Sequence, residues 1–544
     1  MKHIEERLKR LILGALKDAY GISVDAVHIE TPADKRHGDY ATNIAMTLAK
    51  RLQSNPRDIA ANIKAALADE GMFDAIDIAG PGFINFYLDK TLYYDTLRDI
   101  LKKRESFGDG EDKGVHINLE YVSANPTGIL HVGHARGAAA GDSLARLLRK
   151  AGYKVTREFY VNDGGNQIMN LARSVEARYF ELFGEEKPFP EDGYRGGEII
   201  DIAKTMRERY GDRFLHEDGI DSFREESVAE LLKGLKRDLD AFGVTFDVFY
   251  SEKSLYETGA VEETREALKA KGYTYEKEGA LFLRTTAFGD EKDRVIVKSD
   301  GTYTYLLPDI AYHREKLSRG FDALIDILGA DHHGYVPRLQ AALEMFTEER
   351  RLEVLILQLV KVLQNGEEVK MSKRSGRTIT LRDLIEEVGS DAIRYFFARH
   401  SLNTHMDLDL DLAIKQTNEN PVYYAQYAHA RIRSVFEKAD NEGYAYTDDI
   451  DTFEHLDDER VHDLLAALGA YPSLIEHAAA TRSFHRITQF IHRLAQKLHA
   501  FYSHIVILDE NVRARSEKLL LLEAVRIVLK DALNLIGVSA PEKM

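Results

Sequence analysis

The segment Asn125-Pro126-Thr127-Gly128-Ile129-Leu130-His131-Val132-Gly133-His134 carries two imidazoles three residues apart, a spacing that puts both on one face of a helix. A loop after an extended run delivers them to the first helical turn, where unpaired backbone N–H groups and the positive end of the helix dipole gather. Behind them follow Ala135-Arg136-Gly137-Ala138-Ala139-Ala140-Gly141, almost without side chains, a surface expected to let a flat ring or a phosphate approach the helix closely. Imidazoles placed there can donate to charge that develops on phosphate oxygens, so the combination suits a nucleoside triphosphate. A His-x-x-His pair alone reads as half a metal site on a tightly packed helix; the strand–loop–helix setting favours the phosphate. A second cluster, Val369-Lys370-Met371-Ser372-Lys373-Arg374-Ser375-Gly376, sets two lysines three residues apart in a polar loop ending in glycine. Lysine is a compact point charge for phosphate oxygens, and such a loop can close over them during reaction. By itself that run would be a solvated turn. Together the two clusters describe phosphate chemistry.

The elements that must hold these residues follow from periodicity. Val115–Val122 alternates as a strand, a helix runs through Leu144, Leu147 and Leu148 to stop near Gly152, and Lys154–Val161 reads as a second strand ending in Asn162-Asp163-Gly164-Gly165. Strand, helix, strand is the unit of a parallel, doubly wound sheet, whose ligands sit beyond the carboxyl ends of the strands. Further extended runs at 294–297, 303–307 and 323–328 are expected to return to that sheet after a charged insertion at about 170–290, with helices near 198–209 and 223–242. Residues 1 to about 70 look helical, with Ile4, Leu8, Leu11 and Ile12 on one face. The turn Gly80-Pro81-Gly82 feeds a strand at 83–88, and the linker Gly108–Gly114 marks a domain boundary. From about 390 the pattern is helical, with helices near 458–480, 484–503 and 514–536. The expected class is α/β: a small N-terminal α+β domain at 1–108, the sheet domain at 115–388, and an all-α bundle at 389–544.

Composition narrows the function. With 73 Lys+Arg against 90 Asp+Glu the formal charge is −17, which argues against a surface coated with phosphate contacts but allows a local basic one. The absence of cysteine excludes disulfides and thiolate metal sites, so any zinc would need histidine and carboxylate ligands alone. No run of about 18 apolar residues exists to span a membrane. The acidic start and the short apolar stretch Leu11–Leu16 do not make a signal peptide, and retention in the cytoplasm is expected.

The His-Val-Gly-His and Lys-Met-Ser-Lys segments resemble the two signature motifs of class I aminoacyl-tRNA synthetases, with Val132 in place of isoleucine and Arg374 where the second signature has its last serine. Ser123-Ala124-Asn125-Pro126-Thr127-Gly128, leading into the first, resembles the arginyl-tRNA synthetase family in particular. So do Gly38-Asp39-Tyr40-Ala41-Thr42-Asn43, Gly80-Pro81-Gly82-Phe83, Gly329-Ala330-Asp331-His332-His333-Gly334, the Asp391-Ala392-Ile393-Arg394 segment similar to that naming the DALR anticodon-binding domain, and the terminus Gly537–Met544. The resemblance spans nearly the whole chain.

It implies a class I Rossmann-type catalytic domain flanked by an N-terminal module that contacts the tRNA elbow and a DALR-type anticodon-binding bundle. The implied activity is an arginine–tRNA ligase: ATP-dependent formation of arginyl-adenylate, then transfer to the 2′-hydroxyl of the terminal adenosine of tRNA(Arg). His131, His134, Lys370 and Lys373 would stabilise the transition state. ATP would lie against Ala124, Asn125, Pro126, Thr127, Gly128, Leu130, His131, Val132, Gly133, His134, Lys370, Met371, Ser372 and Lys373, with Mg2+ travelling on its phosphates and no resident metal. A planar guanidinium with five donors needs carboxylates in its plane. Glu120 and Asp309, each near the end of a predicted strand, match the family's pocket acids, Tyr305 its pocket tyrosine, and Asn125 the residue holding the substrate's amino and carboxylate end, with Ser123 and His134 assisting. His332 and His333, beside Asp331, could line the arginine or ATP site or merely cap a helix. Tyr40, Tyr423, Tyr427, Arg431 and Met544 are candidate tRNA contacts, although helix aromatics at such spacing are mostly core. A monomer is expected.

Three other readings compete. A shorter adenylyl transferase of the same superfamily shares the histidine helix but lacks a helical tail like 390–544. Another class I synthetase is disfavoured where it builds cysteine zinc sites, and the Glu120/Asp309 pair favours a cationic amino acid. A tRNA-binding paralogue without catalysis should have lost some of His131, His134, Asn125 or Lys373, and all four are present.

Overall fold

The computed structural model describes residues 2–30, 32, 34–347, 351–369, 379–450 and 452–544. The N-terminal region opens with α1 (Lys2–Tyr20), which buries Leu8, Ile12 and Leu16. Strand β1 (Tyr40–Thr42) then precedes α2 (Ile44–Leu52) and α3 (Pro56–Leu67), and it interrupts the helical region expected for residues 1–70. It pairs antiparallel with β3 (Phe83–Leu88), which also pairs with β2 (Phe73–Ala79), so the sheet order is β1-β3-β2. Helix α4 (Thr91–Lys103) follows, packing against helices of the C-terminal region.

The central sheet is fully parallel. It is built from β4 (His116–Glu120), β5 (Lys154–Val161), β6 (Val248–Ser251), β10 (Ala323–Gly329) and β11 (Leu352–Leu357) in the order β11-β10-β4-β5-β6. This is the order 5-4-1-2-3 of the doubly wound fold, and the direction of winding reverses between β4 and β10. Ligands of such sheets bind at that reversal, outside the carboxyl ends. Helix α5 (Val132–Lys150) crosses from β4 to β5. Helices α6 (Gly165–Glu181), α7 (Gly197–Tyr210), α8 (Arg213–His216) and α9 (Ile220–Ala241) lie between β5 and β6, with a core of their own around Tyr179, Phe214 and Phe223.

After β6 come α10 (Glu252–Glu257), α11 (Ala260–Ala270) and a separate antiparallel sheet of β7 (Thr274–Lys277), β8 (Ala280–Leu283) and β9 (Arg294–Val297). The run at 294–297 therefore does not rejoin the parallel sheet. Residues 303–307 form no strand: Tyr303 makes one bridge to Val297, and α12 (Leu306–Ser318) starts three residues later. A short apolar run does not distinguish a strand from the first turn of a buried helix, and Pro308 fits that first turn, where its missing N–H is not needed.

Helix α13 (Val336–Glu344) leads to β11. Strands β12 (Val360–Gln364), β13 (Glu367–Glu368) and β14 (Met406–Asp409) make a small sheet, with α14 (Leu381–Glu387) and α15 (Ser390–Ala398) between the last two. The remainder is helical: α16 (Leu410–Ala413), α17 (Pro421–Asn441), α18 (Glu459–Gly469), α19 (Tyr471–Ala480), α20 (His485–His504) and α21 (Val512–Leu535). Among the described residues no helix is long and apolar enough to cross a membrane.

Candidate active site

Strand β4 ends on Glu120 and the chain turns sharply. The Ser123 N–H donates to the Tyr121 carbonyl at 3.0 Å, around Val122 at φ 70° and Ser123 at φ 41°. A β-branched residue at positive φ is a backbone outlier, costing on the order of 1–3 kcal/mol and held only where the surroundings enforce it. The turn aims Ser123 back, so its Oγ donates to Glu120 Oε1 at 2.8 Å and accepts the Tyr160 N–H at 3.1 Å. Ala124, Pro126, Leu130 and Val132 are buried and anchor the loop by packing, with Thr127 and Gly128 half-buried. Asn125 is exposed, its amide donating to Gln167 Oε1 at 2.9 Å.

The two histidines close the N-terminus of α5 on each other. Their rings stack at 3.7 Å. His131 Nδ1 accepts the Gly133 N–H at 3.1 Å, and His134 Nδ1 accepts the His131 N–H at 3.2 Å. Both Nδ1 atoms are thus acceptors, which assigns the proton of each neutral ring to Nε2. The cap satisfies helix donors and leaves Nε2 as the donor of each ring.

The small residues behind them do not form a ligand surface. Ala135 to Gly141 are buried, and a Cβ on Gly141 would meet the Tyr121 ring at 2.2 Å. Small size here lets α5 lie against the strained turn. Arg136, which sequence reading treated as part of that run, is 1 % exposed and donates to four carbonyls: Gln358 (2.7 Å), Leu359 (3.3 Å), Ser401 (3.0 Å) and Thr404 (2.7 Å). Gln358 and Leu359 lead into β12. On the far side of residues 370–378, Thr380 bridges to His131 and the Leu381 N–H donates to the Leu130 carbonyl at 2.8 Å. Lys370, Met371, Ser372 and Lys373 lie outside the described residues, but both described flanks are joined to the histidine helix.

Below this entrance sits a buried charged network. Glu120 accepts from Lys316 Nζ and from the Tyr312 hydroxyl (2.9 Å). Lys316, fully buried, also donates to Asp326 (3.0 Å), which bonds His313 Nε2 at 2.7 Å. Glu158 takes Arg319 bidentately at 2.8 Å twice, with Tyr312 (2.7 Å) and Asn118 (2.7 Å). Burial pushes the Asp326 carboxyl up, but Lys316 and His313 overcome it and hold the group well below the usual range. Glu158 is likewise lowered, against its burial, by Arg319, Lys316 and Tyr312.

Asp309 behaves oppositely. It stands in the first turn of α12, not at a strand end, and the cation that acts on it is His313, one helical turn on. Burial pushes its carboxyl up to about 6, although the Tyr335 hydroxyl donates to it. Beside it Glu252, the first residue of α10, is raised to about 7, first by burial and then by the Asp309 charge. Tyr305 is 85 % exposed, on the solvent side of the helix start. His332 and His333 are exposed just beyond β10, with His332 near Asp331. Tyr335, missed in the sequence, is the residue of this segment that reaches Asp309. A signal existed: Asp309, Tyr312, His313 and Lys316 recur at helical spacing, a polar face turned toward buried charge.

In the helical region Tyr423, Tyr427 and Arg431 form a half-buried stripe on α17. Tyr423 and Tyr427 stack at 6.1 Å, and the Arg431 guanidinium lies 3.6 Å over the Tyr502 ring. A cavity of about 500 Å³ is lined by Tyr423, Gln426, Ile414, Lys415 and Met544, the last 53 % exposed. Tyr40, at 5 % exposure on β1, is a packing residue, and its ring is not offered to a surface ligand.

A doubly wound parallel sheet with paired histidines capping the helix after its first strand, at the reversal of winding, defines the catalytic domain of a class I aminoacyl-tRNA synthetase. Residues 96–436 match the family model for the class I (R) tRNA synthetase catalytic domain, 6–88 that for the arginyl-tRNA synthetase N-terminal domain, and 425–544 that for the DALR anticodon-binding domain. The chain belongs to the arginyl-tRNA synthetase family. It is 52% identical to the arginine–tRNA ligase of Bacillus subtilis over the full length of both chains, and 50% identical to that of Geobacillus thermodenitrificans over 99% of both. The fold matches the arginyl-tRNA synthetase of Thermus thermophilus with a TM-score of 0.76 at 21% identity, covering 99% of this chain and 100% of that one. A methionyl-tRNA synthetase of Mycobacterium tuberculosis bound to methionyl-adenylate shares the fold over 77% of this chain and 91% of its own, with a TM-score of 0.51 and 16% identity.

Proposed function

We propose that this chain activates L-arginine with ATP and transfers it to tRNA(Arg). The observation that carries the reading is the stacked histidine pair capping α5 beyond β4, at the end of the sheet that also holds the acids Glu120 and Asp309. A carboxylate oxygen of arginine attacks the α-phosphorus of ATP and pyrophosphate leaves. The terminal 2′-hydroxyl of tRNA then attacks the arginyl carbonyl, and AMP leaves with the bonding electrons. Nε2 of His131 and His134, with Lys370 and Lys373, meet the negative charge that builds on phosphate oxygens in the first step. Mg2+ would arrive with the nucleotide, held by its phosphates and water, with no call for a zinc site.

Asp309 takes the guanidinium. Glu120, with three of about four acceptor positions already filled, contributes what remains on Oε1 and keeps Ser123 in place. Asn125 and Ser123 line the route to the α-amino and carboxylate end, and Tyr305, His332 and His333 stand at the mouth. The division of labour follows 1–108 for the tRNA elbow, 115–388 for chemistry and 389–544 for the anticodon, where Tyr423, Tyr427, Arg431 and Met544 offer stacking and phosphate contacts. The chain acts as a cytoplasmic monomer.

The deciding experiment is ATP–pyrophosphate exchange with each of the twenty amino acids, with and without tRNA. Exchange with arginine alone, dependent on tRNA, supports the reading. Exchange with another amino acid overturns the arginine pocket, and none at all from folded protein overturns catalysis.

A further inference from the structure

Helix α20 is 20 residues long and carries no aspartate or glutamate, although the chain as a whole has a net charge of −17. Its positive groups are ordered. His485, His492 and His499 recur every seven residues, and so do Arg486 and Arg493, which sets each group in a row along one side of the helix. At 1.5 Å per residue the histidine row is about 21 Å long. Arg486, His492 and Arg493 are exposed, and neither arginine has an ion-pair partner among the described residues. Helices α18, α19 and α21 also pack on α20, and among the described residues the ion pair they make with it is Asp463 of α18 with Lys497, at 3.6 Å on its flank.

The other neighbours of the histidine row continue its charge. From α17, the Tyr424 ring packs on His492 at 5.4 Å and on His499 at 4.8 Å, Tyr427 lies 6.0 Å from His499, and Arg431 reaches His499 Nδ1 at 3.5 Å. From the end of α15 come the exposed Arg399 and, next to it, His400. The charges that act on these four histidines are all positive: Arg399, Arg136 and His485 at His400, Arg486 at His485, Arg399 at His492 and Arg431 at His499. Burial first, and then these cations, hold each ring below the ordinary histidine value, so the row is mostly neutral at pH 7. Independently, His485 Nδ1 and His499 Nε2 are buried without a hydrogen-bond partner among the described residues.

Cations that no acid neutralises, in a chain this acidic, are charge held for an anionic partner. One phosphate does not span about 21 Å, so the partner is an extended polyanion. Aromatic rings set between the cations suit nucleic acid, and the exposed Gln489 and Gln496 offer no apolar wedge to a membrane. The row also runs from Arg431 on α17 to His400, beside Arg136 of the histidine helix, and so connects the two regions proposed to meet tRNA.

We infer that the two rows of α20, with Arg399 and Arg431, form a phosphate-binding surface for the duplex stem of tRNA, and that its histidines take up protons as the RNA binds. This rests on the tRNA reading above and concerns the backbone of the stem, where that reading concerned anticodon bases. Phosphate contacts hold the RNA without regard to sequence. A phosphate beside each neutral ring favours its charged form, so binding consumes protons, and affinity is gained as pH falls and lost as it rises.

The test measures Kd of the full-length protein for a tRNA(Arg) transcript and for a non-cognate tRNA transcript. At fixed salt the wild type should bind about 3–10-fold more tightly at pH 6.5 than at pH 8.5, since one linked histidine contributes at most about tenfold per unit. His492→Gln with His499→Gln should match the wild type at pH 8.5 and lose most of that gain at pH 6.5, which a merely structural role would not produce. Arg486→Gln with Arg493→Gln, both at exposed positions, should weaken the two RNAs alike by about tenfold and reduce the slope of log affinity against log salt by about 1–2. A wild-type Kd independent of pH, or a gain kept in full by the histidine variant, overturns the proton linkage. An unchanged Kd and salt slope in the arginine variant, or a loss confined to tRNA(Arg), overturns the backbone surface and leaves the tRNA reading standing. Failure of the folded wild type to bind either RNA overturns the tRNA reading itself.

Discussion

His131 has two separable jobs. Its Nδ1 caps α5 and, on the proposed reading, its Nε2–H meets the nucleotide; asparagine, among the best capping residues, can do only the first. His131→Asn should therefore unfold within about 1 kcal/mol of the wild type while pyrophosphate exchange falls by roughly 10²–10³, the usual effect of removing one donor from a developing oxyanion. An unchanged rate would reduce His131 to a cap. The acid proposed for the guanidinium makes a second prediction, in pH. Burial raises Asp309 to about 6, so a guanidinium bound beside it would lower it and release a proton. Arginine affinity then weakens as pH falls through 6, approaching tenfold per unit. Arginine KM measured from pH 8 to 5 should climb, and Asp309→Asn should flatten the curve. A KM independent of pH over that range would mean that Asp309 does not meet the substrate. Asp326 behaves in the other sense: depressed by Lys316 and His313, it stabilises the fold at neutral pH and loses that contribution only in strong acid.

Helix α5 shows how an element can be legible in place and misread in purpose. Its boundaries followed from the apolar spacing and from the strands on either side, because a βαβ unit leaves few alternatives. The glycines and alanines, though, point inward. Gly141 touches Tyr121 in the turn whose strain aims Ser123, so an added methyl must displace a buried ring. In an unconstrained helix Gly→Ala is worth about 1 kcal/mol of stability. Here Gly141→Ala should instead lose about 1–3 kcal/mol in denaturant unfolding, and a gain would show that α5 has room to move. Helix α12 was read less well. Tyr303-Thr304-Tyr305-Leu306-Leu307 resembles a strand by residue type, and only its partners, a single bridge to Val297 and then a helical turn, decide otherwise. Its charged face escaped notice for a related reason: Lys316 and Tyr312 look like surface residues until the strands that carry Glu120 and Glu158 are packed against them. Spacing along the chain reports which residues share a face, not what that face meets.

At the scale of the molecule, chemistry and the helical region are joined through one buried side chain. Arg394, on α15, is fully buried and donates to Asp142 of α5, to the Ile536 carbonyl at 3.1 Å just past α21, and to the Phe242 carbonyl at 3.1 Å at the end of α9. Gly537 makes the contact possible, for it has φ 66° and any Cβ would lie 1.9 Å from the guanidinium. Three residues earlier Asp391 holds the C-terminal tail, accepting the Ser539 N–H at 3.1 Å and the Gln426 amide at 2.8 Å. The segment that resembles the name of the anticodon-binding domain is thus the hinge plate between that domain and the histidine helix. Removing one partner of a buried ion pair costs about 3–5 kcal/mol, because carbonyls and a carboxylate lose their donor together. Arg394→Ala should therefore split thermal unfolding, the helical region melting first and the sheet domain later, where the wild type melts as one. The KM for tRNA in arginylation should rise by about tenfold with the arginine KM unchanged, if α17 and the tail meet tRNA as proposed. A single transition, lowered but undivided, with the tRNA KM unchanged, would show that Arg394 stabilises the whole chain without coupling its parts.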